Sequence, residues 1–396
     1  MRVLLGAFGD PGHAFPVIAL SRALRARGHD VVLQTWRRWQ DDVEALGIGF
    51  AAAPEYHVFP TLERPMKPYA AAVRAARETA PLVEGFRPDV VVADILTVAM
   101  ALAGEVGGVP VATVIPHVDP RPSPGFPPYS IGARLPRTAA GRALWRRFDR
   151  TIGRGLKLGR GQLNETRRRL GLPALDRVHG GISERLCLVG TFPQLEYPRP
   201  SPPAATHVVG PLLWEPPFGD VEAPPGDAPL VLVAPSTSQD REHRLLRAAV
   251  TGLADLDVRV LATWNRRSLP SAIDVPGNAR LVEWLSYSRT MPRCDVVVCH
   301  AGHGTVARAL EAGCVVVAVP AGGDMGENAA RVDWAGVGVR LPQRLTTPLG
   351  VRLATGRALG DEARRARARE LSSWVLANDP ATTAAELVED LARRGG

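Results

Sequence analysis

Two histidine-bearing stretches hold the residues best suited to chemistry. In "GDPGHAFP" (residues 9–16), His13 follows the strand-like run "RVLL" (2–5) and sits in a turn supplied by Gly9 and Gly12. An imidazole there can take a proton from a hydroxyl near neutral pH, provided its other nitrogen is held in one tautomer, usually by a carboxylate. Asp94, which ends "DVVVAD" (89–94), is such a carboxylate if its strand lies beside the first. Read alone, an aspartate at a strand end is also a common helix cap.

The second stretch is "CHAGHGTVARALEAGCVVVAVPAGGDMGENAARV" (299–332). His300 emerges after four apolar residues, and Gly302, His303, Gly304 and Thr305 then open a helix with Val306, Ala309 and Leu310 at helical spacing. Glycines let the backbone approach a ligand closely, and the free amides of a helix N-terminus attract an anion such as a diphosphate. Asp324 stands 24 residues after His300, room for one helix and one strand that return the chain to the same sheet end. An acid there can accept hydrogen bonds from sugar hydroxyls. Ser236 and Ser238 in "APSTSQD" (234–240) can donate to a phosphate oxygen, although serines are also ordinary turn formers. His117 and Asp119 in "IPHVDP" (115–120) are placed to touch an acceptor, to act as an alternative base, or to cap their loop.

These residues need elements to position them, and the apolar runs supply those. "RVLL" (2–5), "DVVLQT" (30–35), "DVVVAD" (89–94), "PVATVI" (110–115) and "RLCLVG" (185–190) form one series, with helical segments between them. "PLVLVAP" (229–235), "VRVLAT" (258–263), "ARLVEW" (279–284), "DVVVCH" (295–300) and "VVVAVP" (315–320) form another. Continuous rather than alternating apolar runs are what a parallel sheet covered on both faces requires. The proline-, glycine- and acid-rich stretch 215–228 between them reads as a linker. The organisation expected is a first domain over 1–214 and a second over 229–380, with a last helical stretch over 381–396 that can pack on either domain, crossing back to the first in one of the two arrangements. Both domains are α/β and doubly wound, and ligands bind outside the carboxyl ends of such strands.

A chain of 396 residues is too long for one ordinary core, and 45% apolar with 22% charged residues describes a globular protein. The net charge of +8 lacks the clustered basic runs with interleaved aromatics that would indicate nucleic acid. The arginine-rich stretch 132–171 reads as a solvated helical face or as a contact for anionic lipid. Cys187, Cys294, Cys299 and Cys314 show no paired spacing and read as reduced core thiols, which fits a cytoplasmic protein. No apolar run is long enough to span a bilayer, and the N-terminus reads as a strand rather than a signal sequence.

The 299–332 segment resembles the nucleotide-sugar signature of family 1 glycosyltransferases with the GT-B fold, whose members include bacterial antibiotic glycosyltransferases. Trp284 in "VEWL", with Leu285 beside it, resembles the family's base-stacking tryptophan. His300 resembles its diphosphate histidine, Gly304 and Thr305 its phosphate-contacting positions, and Asp324 its sugar-binding acid; Asn328 and Ala329 match the motif's end. Gly12, His13 and Pro16 match the family's G-H-x-x-P pattern, which implies that His13 is the base and Asp94 its partner. The resemblance implies two Rossmann-like domains facing across a cleft, the first (1–214) binding the acceptor and the second (229–380) the nucleotide sugar, with no required cofactor, no metal, and inversion at the anomeric carbon.

Two positions depart from the pattern. Arg308 stands where the family commonly has a glutamate for the ribose, with Glu311 one turn on as a substitute, and Met325 replaces the usual glutamine after the acid. Both favour a thymidine diphosphate deoxysugar over a uridine diphosphate hexose. Tyr56, Phe126 and Tyr129 are candidate acceptor-pocket aromatics, suited to a polyketide or other lipophilic secondary metabolite. The expected protein is a hexosyltransferase-type enzyme, monomeric or homodimeric, with dTDP- or UDP-sugar and a small-molecule acceptor as its partners. The alternatives are a glycolipid or cell-envelope transferase at a membrane surface, a sugar-nucleotide epimerase, and a non-catalytic partner protein of the same fold.

Overall fold

The computed structural model describes residues 1–54, 68–129, 131–179, 181–203, 205–236, 239–240 and 242–395. Its first half runs β1 (Arg2–Gly6), α1 (Pro11–Ala26), β2 (Asp30–Thr35), α2 (Gln40–Ala45), β3 (Gly49–Ala52), α3 (Pro68–Phe86), β4 (Val90–Asp94), α4 (Val98–Val106), β5 (Val111–Ile115), α5 (Ala139–Arg146), α6 (Asp149–Arg169), β6 (Cys187–Val189) and β7 (Thr206–Val208). The seven strands form one parallel sheet in the order β3-β2-β1-β4-β5-β6-β7. The apolar runs make its centre: every residue of β4 is buried, because α1 and the helix Pro380–Gly395 on one face and α3 and α4 on the other leave no wet side.

The second half runs β8 (Leu230–Ala234), α7 (Arg244–Gly252), β9 (Arg259–Thr263), β10 (Ala279–Val282), α8 (Tyr287–Thr290), β11 (Val296–Cys299), α9 (His303–Glu311), β12 (Val315–Ala318), α10 (Met325–Trp334), β13 (Gly338–Arg340), α11 (Pro348–Gly360), α12 (Glu362–Asn378) and α13 (Pro380–Gly395). Its parallel sheet is ordered β10-β9-β8-β11-β12-β13. In both sheets the order reverses beside the first strand of the half, so β1 lies between β2 and β4, and β8 between β9 and β11. That reversal opens a crevice at the carboxyl ends. Among the described residues no helix is long and apolar enough to cross a membrane.

The connection between the sheets is not a free tether. Trp214 is buried in the first half's core, and Val221 and Ala223 pack on the second half's. The Glu215 carboxylate accepts from Ser286 Oγ, and from the Tyr287 and Ser288 amides at 3.2 and 3.0 Å, capping α8. The last helix, α13, places Ala384, Ala385, Val388 and Leu391 in the first half's core, against α1. Val118, Phe192 and Leu195 of the first half pack in turn into the second half's core.

Candidate active site

The register of the first sheet brings His13 and Asp94 together. Gly6 of β1 lies opposite Ala93 of β4, so Asp94 leaves the sheet beside the turn that starts α1. There its Oδ1 lies 2.8 Å from His13 Nδ1, and its Oδ2 accepts the Phe8 amide at 3.1 Å. The Asp94 side chain is fully buried, whereas the His13 ring keeps 18% exposure. With Nδ1 facing the carboxylate, Nε2 is the nitrogen left for a substrate. Burial disfavours the charged imidazole, but Asp94 outweighs it by charge and hydrogen bond, Asp10 and Asp324 add to it, and the His13 pKa rises above its ordinary value.

Asp324 belongs to the opposite half, immediately before α10, and its side chain caps no helix amide. Its charge favours the protonated form of His13, His117 and His300 alike. The His117 ring is 5.9 Å from that of His13, and its Nδ1 approaches the Val118 carbonyl at 2.8 Å and the Tyr129 hydroxyl at 3.4 Å. Burial lowers its pKa, and the neighbouring His13 pushes the same way.

His300 follows β11 with Nδ1 3.3 Å from the Ala234 carbonyl. Its placement depends on the two residues after it. Ala301 takes φ +63°, uncommon for a residue with a side chain, and its carbonyl accepts from buried Asn328 at 3.0 Å. A Cβ on Gly302 would overlap His300 Nε2. Gly302→Ala is therefore expected to displace the ring and weaken nucleotide binding by roughly tenfold at unchanged fold, measured by calorimetry and circular dichroism. The N-terminus of α9 has no side-chain cap, and a Cβ at Gly304 would meet only open space, so nothing among the described side chains fills this helix end. Beside His300 a small pocket is lined by Ser236 and by Arg244 at the start of α7; sequence reasoning did not single out Arg244.

Other expected residues lie elsewhere or have partners. His303 Nε2 reaches across to Thr191 Oγ1 of the first half at 2.9 Å, and burial lowers its pKa to about 3, so it is a neutral contact between the halves. Asp119 faces Arg121, with Nη2 to Oδ2 at 2.6 Å, and Arg199 at 3.6 Å, and it accepts the Arg121 amide; the loop-capping alternative is the geometry present. Phe126 packs in a small core with Leu135, Tyr197 and Trp334 rather than in the crevice. Tyr129 bridges, touching His117 and the second half's core, and burial raises its pKa. Glu311 is paired with Arg308 at 2.6 Å. Trp284 is half-buried, with the Arg266 guanidinium 5.2 Å from its ring and Phe218 on Arg266 at 5.6 Å; Leu285 is core, and Met325 packs on that core. Arg266 and Thr191 carried no signal in the sequence, since only folding brings them to their partners. Tyr56 and Ser238 lie outside the described residues.

Residues 247–392 match the family described as erythromycin biosynthesis protein CIII-like, C-terminal domain. The 4'-demethylrebeccamycin synthase of Lentzea aerocolonigenes is 29% identical over 433 residues, covering 98% of this chain and 99% of its own. The O-mycaminosyltylonolide 6-deoxyallosyltransferase of Streptomyces fradiae is 30% identical over 433 residues, covering 99% of this chain and 98% of its own. Among solved structures, the glycosyltransferase VinC in complex with dTDP matches over 100% of both chains with a TM-score of 0.71 and 18% identity, a likeness of fold. Two parallel Rossmann-like sheets, a histidine–aspartate pair on one side of the crevice, an uncapped helix end on the other, and full-length relatives lead to one assignment: the chain is a GT-B glycosyltransferase of the EryCIII-like, macrolide-glycosyltransferase family, in its natural-product branch.

Proposed function

We propose that the protein transfers a deoxysugar, with inversion, from thymidine diphosphate to a hydroxyl of a lipophilic secondary metabolite. His13 Nε2 takes the acceptor proton as the oxygen attacks the anomeric carbon; Asp94 holds the ring and stabilises the imidazolium that forms. The departing diphosphate is received by the Gly302, Gly304 and Thr305 turn, by the α9 amides and by His300, whose fixed dipoles need no reorganisation as charge develops. Trp284 stacks on the base, and Asp324 accepts from sugar hydroxyls opposite His13. The observation that carries the reading is the 2.8 Å His13–Asp94 contact, with the charge of Asp324 from the other half acting on the same imidazole. The product anomer, read by NMR, tests inversion: retention of the donor's configuration would exclude a single displacement driven by His13.

The donor assignment rests on Arg308 and Met325. Arg308 engages the Glu311 carboxylate, so a ribose 2′-hydroxyl meets no unengaged acid at this end of α9. Uridine diphosphate is therefore expected to bind no tighter than dTDP, and Arg308→Glu to shift the ratio toward uridine by roughly tenfold, the worth of one hydrogen bond to a charged group. Calorimetry with both nucleotides decides, and a strong native preference for uridine would contradict the assignment. The Streptomyces fradiae relative is named for a deoxysugar, which agrees with this reading. The buried, unpaired Cys187, Cys299 and Cys314 suit a cytoplasmic site of action.

A further inference from the structure

We infer that α5 and the first two-thirds of α6 dock on an anionic lipid surface. Helix α5 has no buried residue, and the buried residues of α6 are Thr166 and Arg167, near its end. Leu144, Phe148 and Leu158 are 53%, 44% and 67% exposed, and the Trp145 and Phe148 ring centroids lie 5.4 Å apart. From Arg142 to Arg160 the chain carries seven cations and one acid, Asp149, which accounts for six of its eight net positive charges. Among the described residues none of those seven is paired with a carboxylate. Arg167, Arg168 and Arg169, further along the same helix, are all paired, with Glu105 or Glu165.

That contrast separates this face from an ordinary solvated one. A surface helix that only needs solubility intersperses charges of both signs and hides its large apolar side chains. Here unpaired cations alternate with exposed leucine and phenylalanine, the combination that lets phosphates meet the cations while the apolar groups enter the acyl boundary. Nucleic acid would use the cations but not the apolar side chains. Gly153, Gly155, Gly159 and Gly161 in α6 have open space where a Cβ would stand, so packing within the chain requires none of them.

The location gives the contact a use. Between β5 and α5 the first half touches the second at two described residues: Arg134 meets Asp333 at 3.0 Å, and Arg340 donates to the Gly132 carbonyl. A bilayer under α5 and α6 would lie beside the half proposed to take the acceptor, and a lipophilic acceptor dissolved in it would reach the crevice without crossing water. Docking itself does not depend on the acceptor reading.

Flotation of the full chain with phosphatidylcholine vesicles, with and without phosphatidylglycerol, tests the inference. Binding is expected only with phosphatidylglycerol. It should fall about tenfold or more in high salt, in the combined variant Arg147→Glu, Arg150→Glu, Arg154→Glu, and in Phe148→Ser with Leu158→Ser. All five positions are exposed, and circular dichroism melts matching the parent confirm that loss of binding is not loss of fold. Failure to float at low salt overturns the inference, as does undiminished binding by the Phe148 and Leu158 variant. Self-association or nucleic-acid retention through this face, with vesicles unbound, overturns it equally.

Discussion

His13→Ala is expected to lower kcat by about 10² to 10⁴ while changing dTDP affinity by less than about twofold. The two effects separate because the imidazole and the turn proposed to receive the diphosphate stand on different halves: His13 begins α1 beside β1, whereas His300 and the α9 amides leave β11. Asp94→Asn sharpens the test. In the parent, burial opposes protonation of His13 and Asp94 overrides it, so the pKa is raised and activity should fall on the acid side above the ordinary histidine value. The amide removes the charge but leaves burial, so the acid limb should move to lower pH. At the same time kcat drops, because the tautomer is no longer enforced. A buried side chain that only supported packing would not shift the limb. His117, with its lowered pKa and its Nδ1 on the Val118 carbonyl, is the competing base. Should His117→Ala lose more activity than His13→Ala, the proton-transfer assignment passes to it.

What the sequence made legible follows from where each element sits. The strands inside the sheets announce themselves because both faces are dry: β1, β2, β4, β5 and β6, then β8, β9, β11 and β12, coincide with the apolar runs, and of the four edge strands β10 alone coincides with one, "ARLVEW". The short strands β3, β7 and β13 gave no such run, and all three are sheet edges, bonded along one side and partly exposed, where a long apolar stretch would be a liability. The same distinction holds at the site. His300, Gly302, Gly304 and Asp324 are spaced by one helix and one strand, so local geometry returns them to one edge, and His13 and Asp94 follow from strand ends. Contacts that arise only when distant segments meet left no pattern: Thr191 on His303, Arg266 on Trp284, and Arg199 joining the ion network of Asp119.

That network supports the second large effect expected. Arg331 of α10 is 2% exposed and joins the halves: it meets Glu327 at 2.8 Å on its own helix, Glu196 at 3.1 Å and the Leu195 carbonyl at 2.9 Å in the first half, and lies 3.8 Å from the Tyr197 ring centroid. Glu196 also accepts the Asp119 amide at 2.6 Å, so the chain of contacts continues to Arg121 and Arg199. Arg331→Ala strands two carboxylates in a dry interface and should reduce stability by about 3–5 kcal/mol, read from denaturant unfolding. The sign of its pH dependence distinguishes lost charge from lost packing. Burial already raises the Glu327 pKa against the pull of Arg331, and removing Arg331 raises it further. A carboxylate whose folded pKa exceeds its unfolded one binds more protons when folded, so the variant regains stability as pH falls through that raised value. The deficit should therefore shrink in mild acid, and Arg331→Met combined with Glu327→Gln should recover part of it at neutral pH. A deficit that stayed constant with pH would mean that the guanidinium acts by filling space beside Tyr197, and the ionic link between the halves would then contribute little to holding the crevice closed.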